Sequence, residues 1–315
     1  MGKKPLLILT GPTAVGKTET SIQLAKAVGG EIISADSMQV YRGMDIGTAK
    51  IKPHQMQGVP HYLVDEFDPD EEFNVMRFQQ LAQKYMEDIY ARNKIPILVG
   101  GTGFYIQSVL YDISFTENQG KDGFREEMAA LAIEHGTAAL HEKLRRVDSE
   151  SAERIHPNNV KRVIRALEYH HFTGEKMSAH NDTERKKKSP YCFLYVVLDL
   201  ERQKLYDRIN SRVDNMMENG LVEEVRGLLE QGYDKSLVSM QGLGYKELIP
   251  YLEHQCSLDE AVYRIKRDTR HFAKRQMTWF RRENDVTVID KEKFSGVDEL
   301  VGEILKLAKE RGVIS

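Results

Sequence analysis

The eight residues GPTAVGKT at 11–18 constrain this chain more than any other feature. They match G-x-x-x-x-G-K-[ST], follow the apolar run 4–10, and open a segment, 17–28, with Ile22, Leu24, Ala25 and Val28 as its apolar positions. A strand, a glycine turn and a helix in that order gather backbone N–H groups and a helix N-terminus around one anion. Gly11 and Gly16 let the backbone curl, Lys17 reaches the phosphates, and the Thr18 hydroxyl suits Mg²⁺. The motif specifies a phosphate or pyrophosphate and does not name its bearer.

The rest of the pattern extends that unit into a sheet. Residues 31–35 read as a second strand ending at Asp36. Residues 95–99 read as a third, ending in Gly100-Gly101-Thr102-Gly103. Between them lie an acidic loop, DEFDPDEEF (65–73), and a helix over about 74–92. Strands alternating with helices indicate an α/β fold with a P-loop-type parallel sheet. Residues 112–190 break the alternation: they hold no apolar strand and read as helices near 124–135, 137–146 and 157–173. A strand returns at 191–198, and Asp199 is placed to cap a long helix carrying Leu205, Ile209, Val213 and Met216. Further helices are expected to the C-terminus. The domain reading is therefore a core of 1–111 and 191–315 with a helical insertion, 112–190.

Composition limits the function classes. No apolar run approaches the roughly 20 residues that span a bilayer, and the stretch 6–9 is too short for an export signal. Only two cysteines occur, Cys192 and Cys256, far apart and without ligand-like spacing, which fits a reducing cytoplasmic setting. The net charge of -3 argues at first against a nucleic-acid partner. Its distribution argues the other way. Residues 263–282 carry eight Lys/Arg (264, 266, 267, 270, 274, 275, 281 and 282) against the single acid Asp268, interleaved with His271, Phe272, Trp279 and Phe280. Trp279 and Phe280 are expected to turn toward the core. A second basic group, Lys161, Arg162 and Arg165, shares one helix face, whereas Lys186–Lys188 read as a solvated linker.

Asp36 lies at the carboxyl edge of the sheet, where ligands of open α/β folds bind. It can act as a general base or metal partner, or simply cap the next segment. The strand at 95–101 ends without the carboxylate that usually organises Mg²⁺ in a phosphotransferase. Arg208 and Arg212, four apart, share a helix face that borders the apolar stripe and reads equally well as a solvated basic edge, and Asp207 and Asp214 are available to pair with them. From the residues alone, a small-molecule or nucleotide kinase, a non-catalytic RNA-binding regulator and a transferase acting on RNA all stay open.

The blocks GPTAVGKT (11–18), SADSMQVYRGMDIGTAK (34–50), PHYLVD (60–65), LVGGTGFYI (98–106), IHPNNVKRVIRALE (155–168), QGLGYKE (241–247) and RIKRDTRHFAKRQMTWFRR (264–282) resemble bacterial tRNA dimethylallyltransferases, in order and over most of the chain. The resemblance implies transfer of a dimethylallyl group from its diphosphate to N6 of adenosine 37 in tRNAs reading codons that begin with U, with Mg²⁺ and release of pyrophosphate. It makes Asp36 the base, with Lys17, Thr18, Thr102 and Arg212 as further catalytic residues. The diphosphate site it implies is Gly11, Pro12, Thr13, Ala14, Val15, Gly16, Lys17 and Thr18 with Arg208 and Arg212. Against the tRNA anticodon stem-loop it sets Asp36, Ser37, Met38, Gln39 and Thr102. Arg125 joins them from the insertion, with Lys161, Arg162, Val163, Ile164 and Arg165. Gln241, Gly242, Leu243, Gly244, Tyr245 and Lys246 complete that surface. A cytoplasmic monomer without a membrane partner is expected. The runner-up remains a P-loop kinase.

Overall fold

The structure, a computed structural model, describes residues 2–115 and 123–314, and the chain divides into two compact units, 1–110 with 190–315, and 111–189.

In the first unit the apolar runs become strands because both of their faces are covered. β1 (Lys4–Thr10) leads through the glycine turn to α1 (Lys17–Val28), which Gly29 ends in a left-handed conformation, φ 62°. β2 (Glu31–Ala35) is buried throughout. A two-residue strand, β3 (His61–Tyr62), precedes α2 (Val75–Ala91), whose Asn74 side chain accepts the Arg77 N–H as an N-cap. β4 (Pro96–Gly100) and α3 (Gly103–Leu110) complete the first half.

Residues 111–189 form the second unit: α4 (Phe124–Val147), α5 (Ser149–Arg154), α6 (Val160–Thr173) and α7 (Met177–Arg185). Gly136, with φ 84° and ψ 160°, kinks α4 where two helices read separately in the sequence meet. Met128, Leu140, Leu144, Val163, Ala166 and Leu167 form this unit's own core. The chain then returns as β5 (Tyr191–Asp199), α8 (Arg202–Glu218), α9 (Leu221–Glu230), α10 (Ile249–Leu252), α11 (Leu258–Phe280), β6 (Val286–Asp290) and α12 (Val297–Glu310).

The six strands are all parallel, in the order β3-β2-β4-β1-β5-β6. Helices cover the sheet, so the α/β expectation holds. Two details of the C-terminal part differ from it. The stretch after α11 contains β6, a five-residue edge strand with Val288 half exposed, so no continuous apolar run announces it. Asp199 is not the cap of α8: it still pairs with Asp290 as the last residue of β5, and its carboxylate accepts the Leu200 N–H. Glu201 caps instead, accepting from the N–H groups of Gln203 and Lys204. No helix among the described residues is long and apolar enough to cross a membrane.

Candidate functional site at the carboxyl edge of the sheet

Strand register builds the site. Gly100 pairs with Thr10 on one side and with Ala35 on the other, so the three strand ends stand abreast. The glycine loop, Asp36 and the Gly101–Gly103 turn therefore emerge side by side. Hydrogen bonds lock the row: Thr10 Oγ1 donates to the Gly100 carbonyl at 2.6 Å, and the Thr102 N–H donates to the Ala35 carbonyl at 3.1 Å. A Cβ on Gly100 would lie 2.2 Å from the Ala35 oxygen, which forbids any side chain there.

Gly11 (φ 145°), Ala14 (φ 66°) and Gly16 (φ 100°) give the loop its curl. Lys17 Nζ bends over it, donating to the carbonyls of Gly11 at 3.0 Å and Pro12 at 2.9 Å. Burial pushes its pKa down to about 8, with Asp36 opposing and Arg212 adding to the shift. Burial also lowers Arg212, again opposed by Asp36. Asp36, Lys17 and Arg212 thus share one electrostatic environment. Arg212 Nη2 reaches the Thr48 carbonyl at 3.4 Å and Arg208 Nη1 the Val15 carbonyl at 3.5 Å. Asp207 and Asp214 do not neutralise them: Asp207 accepts from Gln203, and Asp214 pairs with Lys266. The exposed Thr18 and the half-buried Thr102 both have hydroxyls with no partner among the described residues.

Asp36 caps the turn that follows it and keeps one oxygen open. Its Oδ1 accepts from the N–H groups of Met38 at 2.9 Å and Gln39 at 3.4 Å, the turn-capping function. Its Oδ2 makes no hydrogen bond among the described residues, so a proton acceptor is left available. Gln39 is committed elsewhere: its Nε2 donates to the carbonyls of Thr48 and Ala49, which holds the 45–49 loop in place.

Two residues of this site have no motif to reveal them. Gln276, on the inner face of α11 and only 6% exposed, joins two edges of the site. Its Oε1 accepts the Thr13 N–H at 2.9 Å and its Nε2 donates to the Gly101 carbonyl at 3.0 Å. Glu224 accepts the N–H groups of Asp45, Ile46 and Gly47 and the Tyr245 hydroxyl, so α9 shapes the loop that receives Arg212. Replacing Gln276 by Met leaves the buried Gly101 carbonyl and the partly buried Thr13 N–H unpaired beside the phosphate loop. Pyrophosphate affinity, read by calorimetry, should fall about tenfold or more, since an unpaired buried group costs about 1–3 kcal/mol. RNA affinity should stay within about twofold; equal losses of both would mean general unfolding.

Comparison with known proteins decides the family. A family model described as IPP transferase matches residues 39–283. The chain is 58% identical over 311 residues to a tRNA dimethylallyltransferase of Lachnoclostridium phytofermentans, covering 99% of each, and 52% identical over 288 residues to that of Bacillus pumilus, covering 91% of this chain and 90% of the relative. It belongs to the tRNA dimethylallyltransferase family. The fold agrees: a tRNA isopentenylpyrophosphate transferase from Staphylococcus epidermidis superposes with a TM-score of 0.73 at 43% identity, covering 98% of this chain and all of that one. A eukaryotic dimethylallyltransferase acting on tRNA gives 0.83 at 28% identity, covering 98% and 80%. The enzyme transfers a dimethylallyl group to tRNA.

The residues assigned to RNA from the sequence separate by exposure. Gln241 and Lys246 are exposed, and Leu243 is half-buried. Gly242 and Gly244 are buried; a Cβ on Gly242 would lie 2.5 Å from Met38 Cε, so this loop packs against the Asp36 turn. Tyr245 is fully buried, with its hydroxyl on Glu224, and its ring lies where a Cβ of Gly47 would be. Its side chain is therefore a support for the 45–48 loop and offers no surface to RNA. In the helical unit Lys161 and Arg162 are exposed and unpaired among the described residues. Val163 and Ile164 face that unit's core, so their side chains are likewise withdrawn from RNA. Arg125 and Arg165 both bind the buried Glu168, at 2.5 and 2.9 Å, which makes them structural ion-pair partners as well as positive charges.

On α11 the charges also divide. Arg264 pairs with Glu260, Lys266 with Asp214 and Arg267 with Asp268, while Arg270 donates to Asn210. Lys274 and Arg275, with Arg281 and Arg282 just past the end of the helix, have no ion pair among the described residues. His271, Lys274, Arg275, Thr278, Trp279 and Arg282 line a shallow hollow of about 430 Å³. Phe280 is core, as expected, but Trp279 is half-buried and packs on Gly103 of the site turn, where a Cβ would lie 2.3 Å away.

Proposed function

We propose that the donor is dimethylallyl diphosphate and the acceptor N6 of adenosine 37, beside the anticodon of tRNAs that read codons beginning with U. The observation that carries this reading is the shared edge of Asp36, Lys17 and Arg212: an available carboxylate oxygen beside two desolvated cations. The exocyclic amine of adenine is a weak nucleophile because its lone pair is delocalised into the ring. Asp36 Oδ2 accepts its proton as the N6–carbon bond forms and the allylic carbon–oxygen bond breaks. The electron pair of that bond leaves with pyrophosphate, and Lys17, Arg212, Arg208 and the loop N–H groups stabilise the growing charge. Thr102, beside Asp36 with an available hydroxyl, orients the incoming base.

The Thr18 hydroxyl suits Mg²⁺, and no cluster of three carboxylate, His or Cys ligands occurs among the described residues. Thr18 would be the residue that holds the ion, and phosphate oxygens and water would have to complete its ligands. When bound, Mg²⁺ supplies further charge neutralisation to the leaving group.

The target adenosine must leave its stack to reach Asp36, so RNA recognition is expected in a single-stranded loop. The free cations of α11 and the pair Lys161 and Arg162 provide the phosphate contacts. Replacing Lys161 and Arg162 together by Gln should reduce the slope of log affinity against log salt by about 1–2. An unchanged slope removes both residues from the interface. We further propose that the enzyme works in the cytoplasm as a monomer.

The kinase reading is disfavoured by β4, which ends at Gly100, runs on into Gly101-Thr102 and offers no carboxylate. Purified enzyme given unmodified tRNA, Mg²⁺ and either dimethylallyl diphosphate or ATP distinguishes the two. One prenyl unit is expected on the RNA with the first donor. Phosphate transfer from ATP without prenylated RNA would overturn the proposal.

A further inference from the structure

The C-terminal end of the chain adds a cation to the phosphate site. β6 lies beyond β5 in the parallel sheet, with Asp290 opposite Asp199, so both strands end at the edge that carries the glycine loop. Immediately after β6 the chain makes a tight helical turn, Lys291–Lys293, capped by the Asp290 carboxylate, which accepts the Glu292 N–H at 3.0 Å. Glu292 pairs with Lys204 of α8, and Phe294 packs on the main core. The turn is therefore held on both sides of Lys291.

That turn aims Lys291 at the phosphate loop. A Cβ built on Gly16 would lie 2.5 Å from Lys291 Nζ, so the ammonium occupies the space a side chain at Gly16 would take. Arg208 reaches the neighbouring Val15 carbonyl. The two positive charges repel, and together with burial Arg208 depresses the basicity of Lys291, with only Glu19 opposing. Lys291 has no ion pair or hydrogen bond among the described residues, although it is half-buried. An unpaired, partly desolvated ammonium held against like charge is unfavourable in isolation. It becomes favourable once an anion arrives, because hydrogen bonds between charged groups are shorter and stronger than neutral ones.

We infer that Lys291 is a further diphosphate-binding residue, contacting the donor's pyrophosphate group at the Gly16 end of the loop, whereas Lys17 bonds the Gly11 and Pro12 carbonyls. The inference rests on the diphosphate reading above. It concerns a residue beyond the 39–283 segment that the family model matches. Lys17 anchors the loop from within α1, Arg208 and Arg212 approach from α8, and Lys291 closes the ring of charge from β6. No covalent change is required of it; it stabilises the negative charge that grows on pyrophosphate as the allylic bond breaks.

The test is calorimetric titration of the full chain with inorganic pyrophosphate and Mg²⁺. Lys291→Met should weaken pyrophosphate about 10- to 100-fold, the range for a lost charged hydrogen bond. Lys291→Arg should stay within about threefold of the parent. Lys293→Met, two residues on and exposed, should bind like the parent. Binding of anticodon stem-loop RNA should be the same for all four. Parent-like pyrophosphate affinity in Lys291→Met, or an equal loss in Lys293→Met, would overturn the contact. Absence of pyrophosphate binding by the parent itself would instead remove the diphosphate reading, and this inference with it.

Discussion

Asp36→Asn is expected to lower single-turnover transfer by about 10²- to 10⁴-fold, the span usual for a positioned general base. Asn keeps an oxygen to accept the Met38 and Gln39 N–H groups, so the turn that Asp36 Oδ1 organises should survive. The variant loses only the oxygen that can take the proton. Stem-loop affinity and pyrophosphate affinity should therefore remain within about threefold of the parent, about 0.7 kcal/mol or less. A transfer rate within about fivefold of the parent would show that another group, or water, accepts the N6 proton. Loss of stem-loop binding together with the rate would instead reveal the residue as a structural cap alone.

The second large effect separates function from stability. Lys17→Met should reduce kcat/KM for the diphosphate donor by about 10²- to 10³-fold, as expected for a preorganised charge facing a leaving group. The same change should stabilise the empty protein. The ammonium is desolvated, and its pKa falls from 10.5 to about 8 on folding. The unfolded chain thus holds the proton more tightly. That penalty is full below about pH 8, shrinks as pH rises and vanishes above about 10.5. Removing it should add on the order of 1–3 kcal/mol at neutral pH, visible as a raised unfolding midpoint in urea. In the parent, pyrophosphate affinity should weaken as pH rises through about 8, where the free lysine loses its charge. A parent profile flat to pH 10, or a destabilised Lys17→Met, would contradict the electrostatic account of this loop.

How much of this was legible beforehand follows from what each element owes to local sequence. β1, α1, β2 and β4 are strongly patterned, and both the glycine loop and Asp36 stand directly at strand ends. Register alone then assembles them, since Gly100 pairs with Thr10 and Ala35 in one row. β6 was hidden because an edge strand with an exposed face needs no continuous apolar run. Asp199 reads as a cap because nothing local says that β5 keeps its pairing through that residue. Tyr245, Val163 and Ile164 lay within blocks whose resemblance spoke for whole segments, and burial divides those blocks residue by residue.

Gln276 and Glu224 illustrate a different limit. Each bonds across the fold to backbone groups far away in sequence, Gln276 to Thr13 and Gly101, Glu224 to residues 45–47. Backbone N–H and C=O groups leave no mark on the sequence, so a side chain that serves them has no partner residue to betray it. The basic stretch of α11 was legible as charge, but not its division into a paired first half and an open second half. Net charge of -3 misled for a simpler reason: acids elsewhere offset a concentrated basic helix.

The most direct measurement is the position of the modification. Unmodified tRNA carrying adenosine 37 is incubated with the enzyme, Mg²⁺ and dimethylallyl diphosphate, then digested, and the fragments are mapped by mass spectrometry. One prenyl unit on N6 of adenosine 37, with one pyrophosphate released per modified tRNA, is the predicted result. A prenyl group on another nucleotide, or pyrophosphate released without any modified RNA, would contradict it.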